Sequence, residues 1–296
     1  MLFADAALAR RVEGAESLMT FDLAEAVRRR SPASPVFSSK LGGGVAVHIG
    51  EAAPFNKLIG VGLTCPLSDD DLAQLDTVEA EFARRETPVQ AEICTLADGS
   101  VFQTLCRRGY VLVAFENVLG LRLSPPRDAV TAPDPAALMA PGGGLQIAPI
   151  AAADAIGDRA WMDAVVTGFA HPDPVPGGPS HESFPREAIE RSMQDLVKLP
   201  GFVRYLGTLD DAVAGGAGLR IHQGVAQLCG SATRPDQRRR GVQTALLSRR
   251  LADAAAAGCD IAVITTQPGS KSQENAQRRG FSLLYARAIL LRSPTT

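Results

Sequence analysis

The sequence predicts an α/β (α+β) protein made of two halves of similar order, and three observations carry that expectation. Proline, glycine and alanine concentrate in SPPRDAVTAPDPAALMAPGGG, residues 124–144, with little periodicity, as in an extended linker. On either side of it the elements run in the same order: strand, helix, strand, short helix, then a Gly-aromatic corner and a strand. CRRGYVLVAFENVLGLRL and QRRGFSLLYARAILLRS each open on an Arg-Arg-Gly-aromatic corner and continue as an apolar strand. The chain reads as a diverged tandem repeat with a first domain at 1–123, a linker at 124–144 and a second domain at 145–296. A length of 296 residues with 46% apolar content suffices for two cores.

In the first half GVAVHIG and LIGVGLT read as strands. A helix over about 69–85, the strand VQAEICT, a short helix over 101–108 and the strand GYVLVAFENVLGLRL follow. In the second half LQIAPI reads as a strand and 152–166 and 186–197 as helices. FVRYLGTL and VAQLCGSAT are strands, with GGAGLRIHQG as a hairpin region between them. Pro235 breaks the second of these, and a helix opens at Gly241 with Leu247, Leu251 and Ala254 on one face and Gly258 as its stop. The strand IAVITT, a short helix over about 272–279 and the strand FSLLYARAILL complete the half.

A formal net charge of -2 supplies no global field to attract nucleic acid or an anionic membrane, so any anion site must be local. No run approaches the roughly 18 apolar residues of a membrane helix. MLFADAALARRVEGAESL has acidic residues early and lacks the pattern of a secretory leader. Cys65, Cys94, Cys106, Cys229 and Cys259 are odd in number and contain no C-x-x-C pair, so they read as buried thiols in a reducing compartment. A cytoplasmic protein is expected; nothing in the sequence marks its oligomeric state.

The local anion site is QRRRGVQTALL. A helix N-terminus presents unpaired N–H groups and the positive dipole end, and a glycine there lets a phosphate approach the backbone. Arg238, Arg239 and Arg240 add countercharge that can grip phosphate oxygens. The alternative, a solvated charge run, leaves unexplained why three cations oppose the helix dipole at about 0.3–1 kcal/mol each. Residues 168–184 are rich in proline and glycine and read as a lid over a substrate. They contain His171, Asp173, His181 and Glu182, but the histidines lack i, i+4 spacing and no metal site is expected. Trp161 either fills the core or lines the pocket.

ATRPDQRRRGVQTALLSRRL resembles the acetyl-CoA pyrophosphate loop and following helix of the GNAT superfamily of N-acyltransferases. Arg238, Gly241 and Gln243 fall on the three defining places, Gln243 replacing the usual small residue. SKSQENAQRRGF resembles the family's last helix, with Ser272, Asn275, Gly280 and Phe281 at its characteristic positions. The resemblance covers about 145–292 and implies two GNAT-like domains, each a mixed, mostly antiparallel central sheet flanked by helices. In the first, Ser68, Asp69, Asp70 and Asp71 stand where the loop should be, so that half resembles a degenerate copy without acyl-CoA.

The resemblance further implies that acetyl-CoA is co-substrate to an amine acceptor. Residues 238–244, Arg238 to Thr244 including Val242, would hold the pyrophosphate, and Ser272 and Asn275 would flank the cofactor. The pantetheine arm would pass between strands 225–233 and 261–266, along Leu228, Cys229, Gly230 and Thr233, where a backbone N–H polarises the thioester oxygen. Gly230 would mark the bulge that parts the strands. The amine attacks directly, and a base and an acid are needed. The family's tyrosine position is Ala276; Tyr285 is the nearest replacement as acid, or else an aromatic of the core. His222, Gln227 and Glu182 are the conceivable bases. The function expected is acetyl transfer to a primary amine of a small molecule. An acetyl-CoA-binding regulatory module without turnover and a protein-interaction scaffold are the alternatives.

Overall fold

A computed structural model describes residues 2–123, 144–171 and 184–294. The chain opens on a 25-residue helix, α1 (Ala6–Arg30), which the sequence analysis did not assign. Asp5 caps it by accepting the Leu8 N–H at 2.8 Å. Its buried side, Ala9, Val12, Ala15, Met19, Leu23 and Val27, keeps helical spacing. Then come β1 (Phe37–Leu41), β2 (Gly44–His48), β3 (Lys57–Ile59), α2 (Asp69–Arg84), β4 (Val89–Cys94), α3 (Gly99–Arg107) and β5 (Val111–Arg122). β3 is shorter than LIGVGLT suggests because Gly60 and Gly62 take φ of 75° and 76° and turn the chain.

The second half runs β6 (Gln146–Pro149), α4 (Ala155–Ala170), α5 (Arg186–Leu196), β7 (Phe202–Leu209), β8 (Ala212–His222) and β9 (Val225–Thr233). It closes with α6 (Val242–Ala256), β10 (Ile261–Thr266), α7 (Lys271–Arg278) and β11 (Ser282–Arg292). GGAGLRIHQG belongs mostly to β8, an 11-residue strand rather than a hairpin region.

All eleven described strands form one sheet, ordered β1-β2-β3-β4-β11-β5-β10-β9-β8-β7-β6. The β3–β4 and β9–β10 pairs are parallel and the remaining pairs antiparallel. The fold is therefore the expected mixed, mostly antiparallel one, with helices on both faces. One feature was unexpected: the closing strands are exchanged. β5 of the first half pairs with β10, and β11 of the second half lies between β4 and β5.

The exchange obeys the repeat. Glu116 and Arg287 each lie seven residues past the equivalent glycines Gly109 and Gly280, and they face each other across β5 and β11. On either side Asn117 faces Ala286 and Phe115 faces Ala288, the pairs that a two-fold through Glu116 and Arg287 would interchange. Arg287 is 2% exposed and donates to Glu116 at 3.1 Å and to Glu13 of α1 at 2.9 Å. The Tyr285 hydroxyl donates to the same Glu13 oxygen at 2.8 Å. Burial pushes the Glu13 carboxyl up, and the neighbouring Arg287 charge opposes the shift.

Alternation along the strands separates two layers. α6 packs over Ala226, Leu228 and Ala262, and α2 over Ala91 and Ile93. On the opposite face α1 covers Val225, Ile261 and Val263, and Trp161 of α4 packs with Met19 and Leu23 of α1. Among the described residues no helix is long and apolar enough to cross a membrane.

Two outcomes follow from the exchange. A fragment of residues 145–296, lacking β5, is expected to be insoluble or molten when produced alone and to recover a cooperative thermal transition when co-produced with residues 1–123. Arg287→Ala strands Glu13 and Glu116 in the interior and is expected to lower unfolding free energy by about 3–5 kcal/mol, read by urea denaturation.

Candidate active site

The parallel pair β9–β10 is hydrogen-bonded over only three positions, Val225–Ile261, Ala226–Ala262 and Gln227–Val263. From Leu228 and Ile264 onward the two strands part. The cause lies in β9 itself. Its register against β8 shifts between Gly216 and Gly218, where β9 steps from Ala232 to Cys229, so β9 carries an extra residue. Gly230 sits in that step at φ 55°. Trp161 packs beneath it and donates its indole N–H to the Ala217 carbonyl at 3.0 Å, so this tryptophan is a core residue directly under the bulge.

Arg250 braces the same region from α6. It is 1% exposed and donates to the Gly218 carbonyl at 2.9 Å, the Leu246 carbonyl at 3.2 Å and the Ser231 hydroxyl at 3.4 Å. Burial lowers its affinity for the proton, to a pKa of about 10. The buried residues of α6 are Val242, Ala245, Leu246, Leu247, Arg250 and Ala254, so the expected Leu247 and Ala254 are buried and Leu251 only partly so. Cys229 is a neutral thiol, pushed up to about 12 by burial.

The open end of the splay leads to the N-terminus of α6. Gly241 is its N-cap at φ 83° and no side chain caps the helix there, so its first amides are without intrahelical partners. A Cβ built on Gly241 meets no atom within 4 Å, which leaves open space where an anion could reach those amides. The three arginines divide. Arg238 turns back to the carbonyls of Gly168 and His171 at the end of α4. Arg240 pairs with Asp210 at 2.8 Å. Arg239, exposed and at φ 62°, makes no ion pair among the described residues. Between α6 and α7 lies a cleft of about 170 Å³ lined by Gln243, Thr244, Leu247, Asn275, Arg278 and Arg279. Asn275 donates to the Gln243 side chain at 3.3 Å, and Ser272 sits one turn earlier on α7.

Two threonine hydroxyls flank the splay without hydrogen-bond partners among the described residues: Thr233 at the end of β9 and Thr266, 4% exposed, at the end of β10. Orphaned polar atoms, an unfilled glycine cradle and the exposed Arg239 together fit an elongated anionic group with hydrogen-bonding ends.

The equivalent end of α2 in the first half is closed. Ser68 and Asp71 form a capping box, and Asp71 accepts the Gly42 N–H at 2.7 Å and the Ser68 N–H at 3.0 Å. The Ser68 hydroxyl, which donates to Asp71 at 2.7 Å, together with these bonds holds the Asp71 carboxyl below its usual range. A built-in carboxylate thus takes donors that an exogenous anion would need.

The residues expected to catalyse do not meet here. His222 ends β8 beside the β8–β9 turn, at the paired end of β9 and away from the splay. Tyr285 lies on β11, separated from β9 by both β5 and β10, with its hydroxyl held by Glu13 and its proton affinity raised by burial. Glu182, with Asp173 and His181, falls outside the described residues. Gln227, buried at the last paired position of β9, bonds Glu16 of α1 at 3.0 Å. α1 and Arg250 contribute to the site without having been expected there. The periodic apolar residues of α1 were the available signal.

Residues 170–281 match the model of the Acetyltransferase (GNAT) family. The whole chain is similar in fold to a tandem GNAT protein from the clavulanic acid biosynthesis pathway, at 11% identity over 93% of this chain and 88% of that one, with a TM-score of 0.60. It is also similar to a GCN5-related N-acetyltransferase from Kribbella flavida, at 18% identity over 95% and 96% of the two chains, TM-score 0.58. A third, from Sphaerobacter thermophilus, gives 18% identity over 77% and 70%, TM-score 0.54. No curated protein matches.

Proposed function

We propose, from the match of residues 170–281 to the GNAT family model and the likeness in fold to a tandem GNAT protein, an acetyl-CoA-dependent N-acetyltransferase that acetylates the primary amine of a small molecule. The observation that carries this reading is the β9–β10 splay, which stops pairing at Gln227 and opens toward an α6 N-terminus capped by Gly241 in the left-handed conformation. In this reading the amides of Val242, Gln243 and Thr244, with Gly241 and the arginines Arg238, Arg239 and Arg240, receive the pyrophosphate. Ser272 and Asn275 bound the nucleotide end at the α6–α7 cleft. Leu228, Cys229, Gly230 and Thr233 line the pantetheine, and a backbone N–H at the bulge stabilises the charge that develops on the thioester oxygen.

The amine nitrogen attacks the thioester carbon directly, the C–S bond breaks, and the thiolate takes up a proton. The near-neutral net charge favours a small acceptor over a nucleic acid. A reducing compartment, the cytoplasm, suits the five unpaired thiols. The second reading is an acetyl-CoA-binding module without turnover. It is favoured by Ala276, buried where relatives place a tyrosine, and by the prior engagement of Tyr285 with Glu13. Release of free thiol from acetyl-CoA in the presence of amines separates the two.

Calorimetric titration with acetyl-CoA is expected to give one site per chain. Gly241→Glu should abolish it, because a carboxylate then occupies the phosphate position and the left-handed backbone is strained. Asp71→Asn should leave the affinity unchanged. Undiminished binding by Gly241→Glu would overturn the assignment of the loop.

A further inference from the structure

The two halves also meet at α1, and the glutamates it carries there fall into two groups. Glu13 is fully buried and committed to Tyr285 and Arg287. Glu16, about one turn on, is half-buried, and its Oε2 accepts the Gln227 amide at 3.0 Å. Its other carboxylate oxygen makes no hydrogen bond among the described residues. The orientation of Gln227 is fixed independently. Arg220 of β8 can only donate, and it takes the Gln227 oxygen at 3.2 Å, which turns the amide nitrogen to Glu16. Arg220 is itself held by Asp22 at 2.7 Å and by the Ala15 carbonyl at 3.2 Å, both on α1.

Gln227 occupies the vertex of the splay, the last β9 residue paired with β10. The peptide N–H groups that would face a thioester oxygen follow it immediately, at Leu228 to Gly230. With about 3.3 Å per residue along a strand, those N–H groups follow within one to three positions of the residue that holds Glu16, so an amine brought to that point on the α1 side would find Glu16 as the neighbouring carboxylate. α6 and its cationic loop occupy the opposite face of the sheet from α1, so the two ends of the splay present opposite charges on opposite faces.

We propose that Glu16, carried by the first half of the chain, is the proton acceptor for the incoming ammonium at the acetyl-transfer site of the second half, held at the vertex of the splay by Gln227. The proposal rests on the acetyltransferase reading above. The ammonium gives one proton to Glu16, directly or through one water. The freed nitrogen lone pair then forms the N–C bond, and the C–S electron pair leaves with sulfur. The remaining extra proton on nitrogen passes to the thiolate, so that acetyl-CoA and an ammonium become an amide, coenzyme A thiol and one proton released from Glu16. The charged and titratable groups that surround Glu16 are Glu13 on its own helix, Arg220 on β8, Cys229 on β9, Lys57 on β3 and Arg287 on β11. The first half thereby supplies a reacting group to a site whose cofactor loop lies wholly in the second.

The test uses the full chain, acetyl-CoA and a panel of amino acids, polyamines and aminosugars, with thiol release as the readout and calorimetry for acetyl-CoA affinity. Glu16→Gln is expected to lower kcat at neutral pH by roughly 10²–10³-fold while acetyl-CoA affinity is unchanged. Its rate should then climb about tenfold per pH unit toward the pKa of the amine, where free amine no longer needs a base, whereas the native protein is flat over that range. An unchanged kcat and pH profile would overturn the role of Glu16 and leave the acetyltransferase reading standing. Acetyl-CoA binding without thiol release by the native protein with any amine would overturn the acetyltransferase reading, and this role with it. If Glu16→Gln does not fold, Glu16→Asp must show a kcat at least about tenfold reduced with acetyl-CoA affinity intact; native kcat in that variant overturns the proposal.

Discussion

Strands β5 and β11 leave the halves that encode them, pair with each other, and so weld two sheets into one. The rest of the architecture depends on this exchange. β10, the outer member of a parallel pair, needs a partner on its far side, and β5 supplies it; β4 stands in the same relation to β11. The position on the two-fold axis sets Glu116 against its own counterpart in the repeat, Arg287. Here glutamate stands on one strand and arginine on the other, and the two form a buried ion pair. Glu13 of α1 extends that pair onto the face of the sheet and fixes where the first helix lies.

The helix in turn decides what surrounds the splay. α1 begins near Asp260, to which Arg11 is bonded, and ends at Asp195 of α5, to which Arg30 is bonded. Between these anchors it crosses β9 and lays Glu16 on Gln227. α6 holds the other face through Arg250, whose bonds to the Gly218 carbonyl and Ser231 hydroxyl satisfy groups around the bulge. An opening between two strands is a weak point in a sheet, and here it is clamped from both sides by guanidinium groups, Arg220 on one face and Arg250 on the other.

The segment from β9 through α6 to β10 was legible in the sequence because its determinants are local: a proline break, a left-handed glycine, an apolar helix row and a glycine stop. β8 was not, because the glycines of GGAGL hide the alternation of a strand. They are there for space: a Cβ on Gly216 would lie 2.9 Å from Trp161, and one on Gly215 would lie 3.1 Å from Val242 on the other face. α1 was missed for a related reason. Glu13 interrupts its apolar row with a charge whose partners, Tyr285 and Arg287, stand at the far end of the sequence. The exchange itself left no local trace, since an apolar strand after an Arg-Arg-Gly corner fits either neighbour equally. The same blindness applies to Tyr285: its residue type suggested an acid, and only the long-range contact with Glu13 shows what its hydroxyl touches.

The pairing of Cys94 with Arg287 also sets an order of events in the making of the protein. As the chain emerges from the ribosome, β4 can meet β3 at once, but its other edge stays bare until β11 has been synthesised. The early half must therefore wait, partly assembled and with a hydrogen-bonding edge exposed, for the last strand of the described chain. Its hydrophobic clusters can collapse during that interval, yet its sheet cannot close. A molecule built this way gains its central strands together and late, and the interval before β11 arrives is when it is most open to pairing with the wrong neighbour.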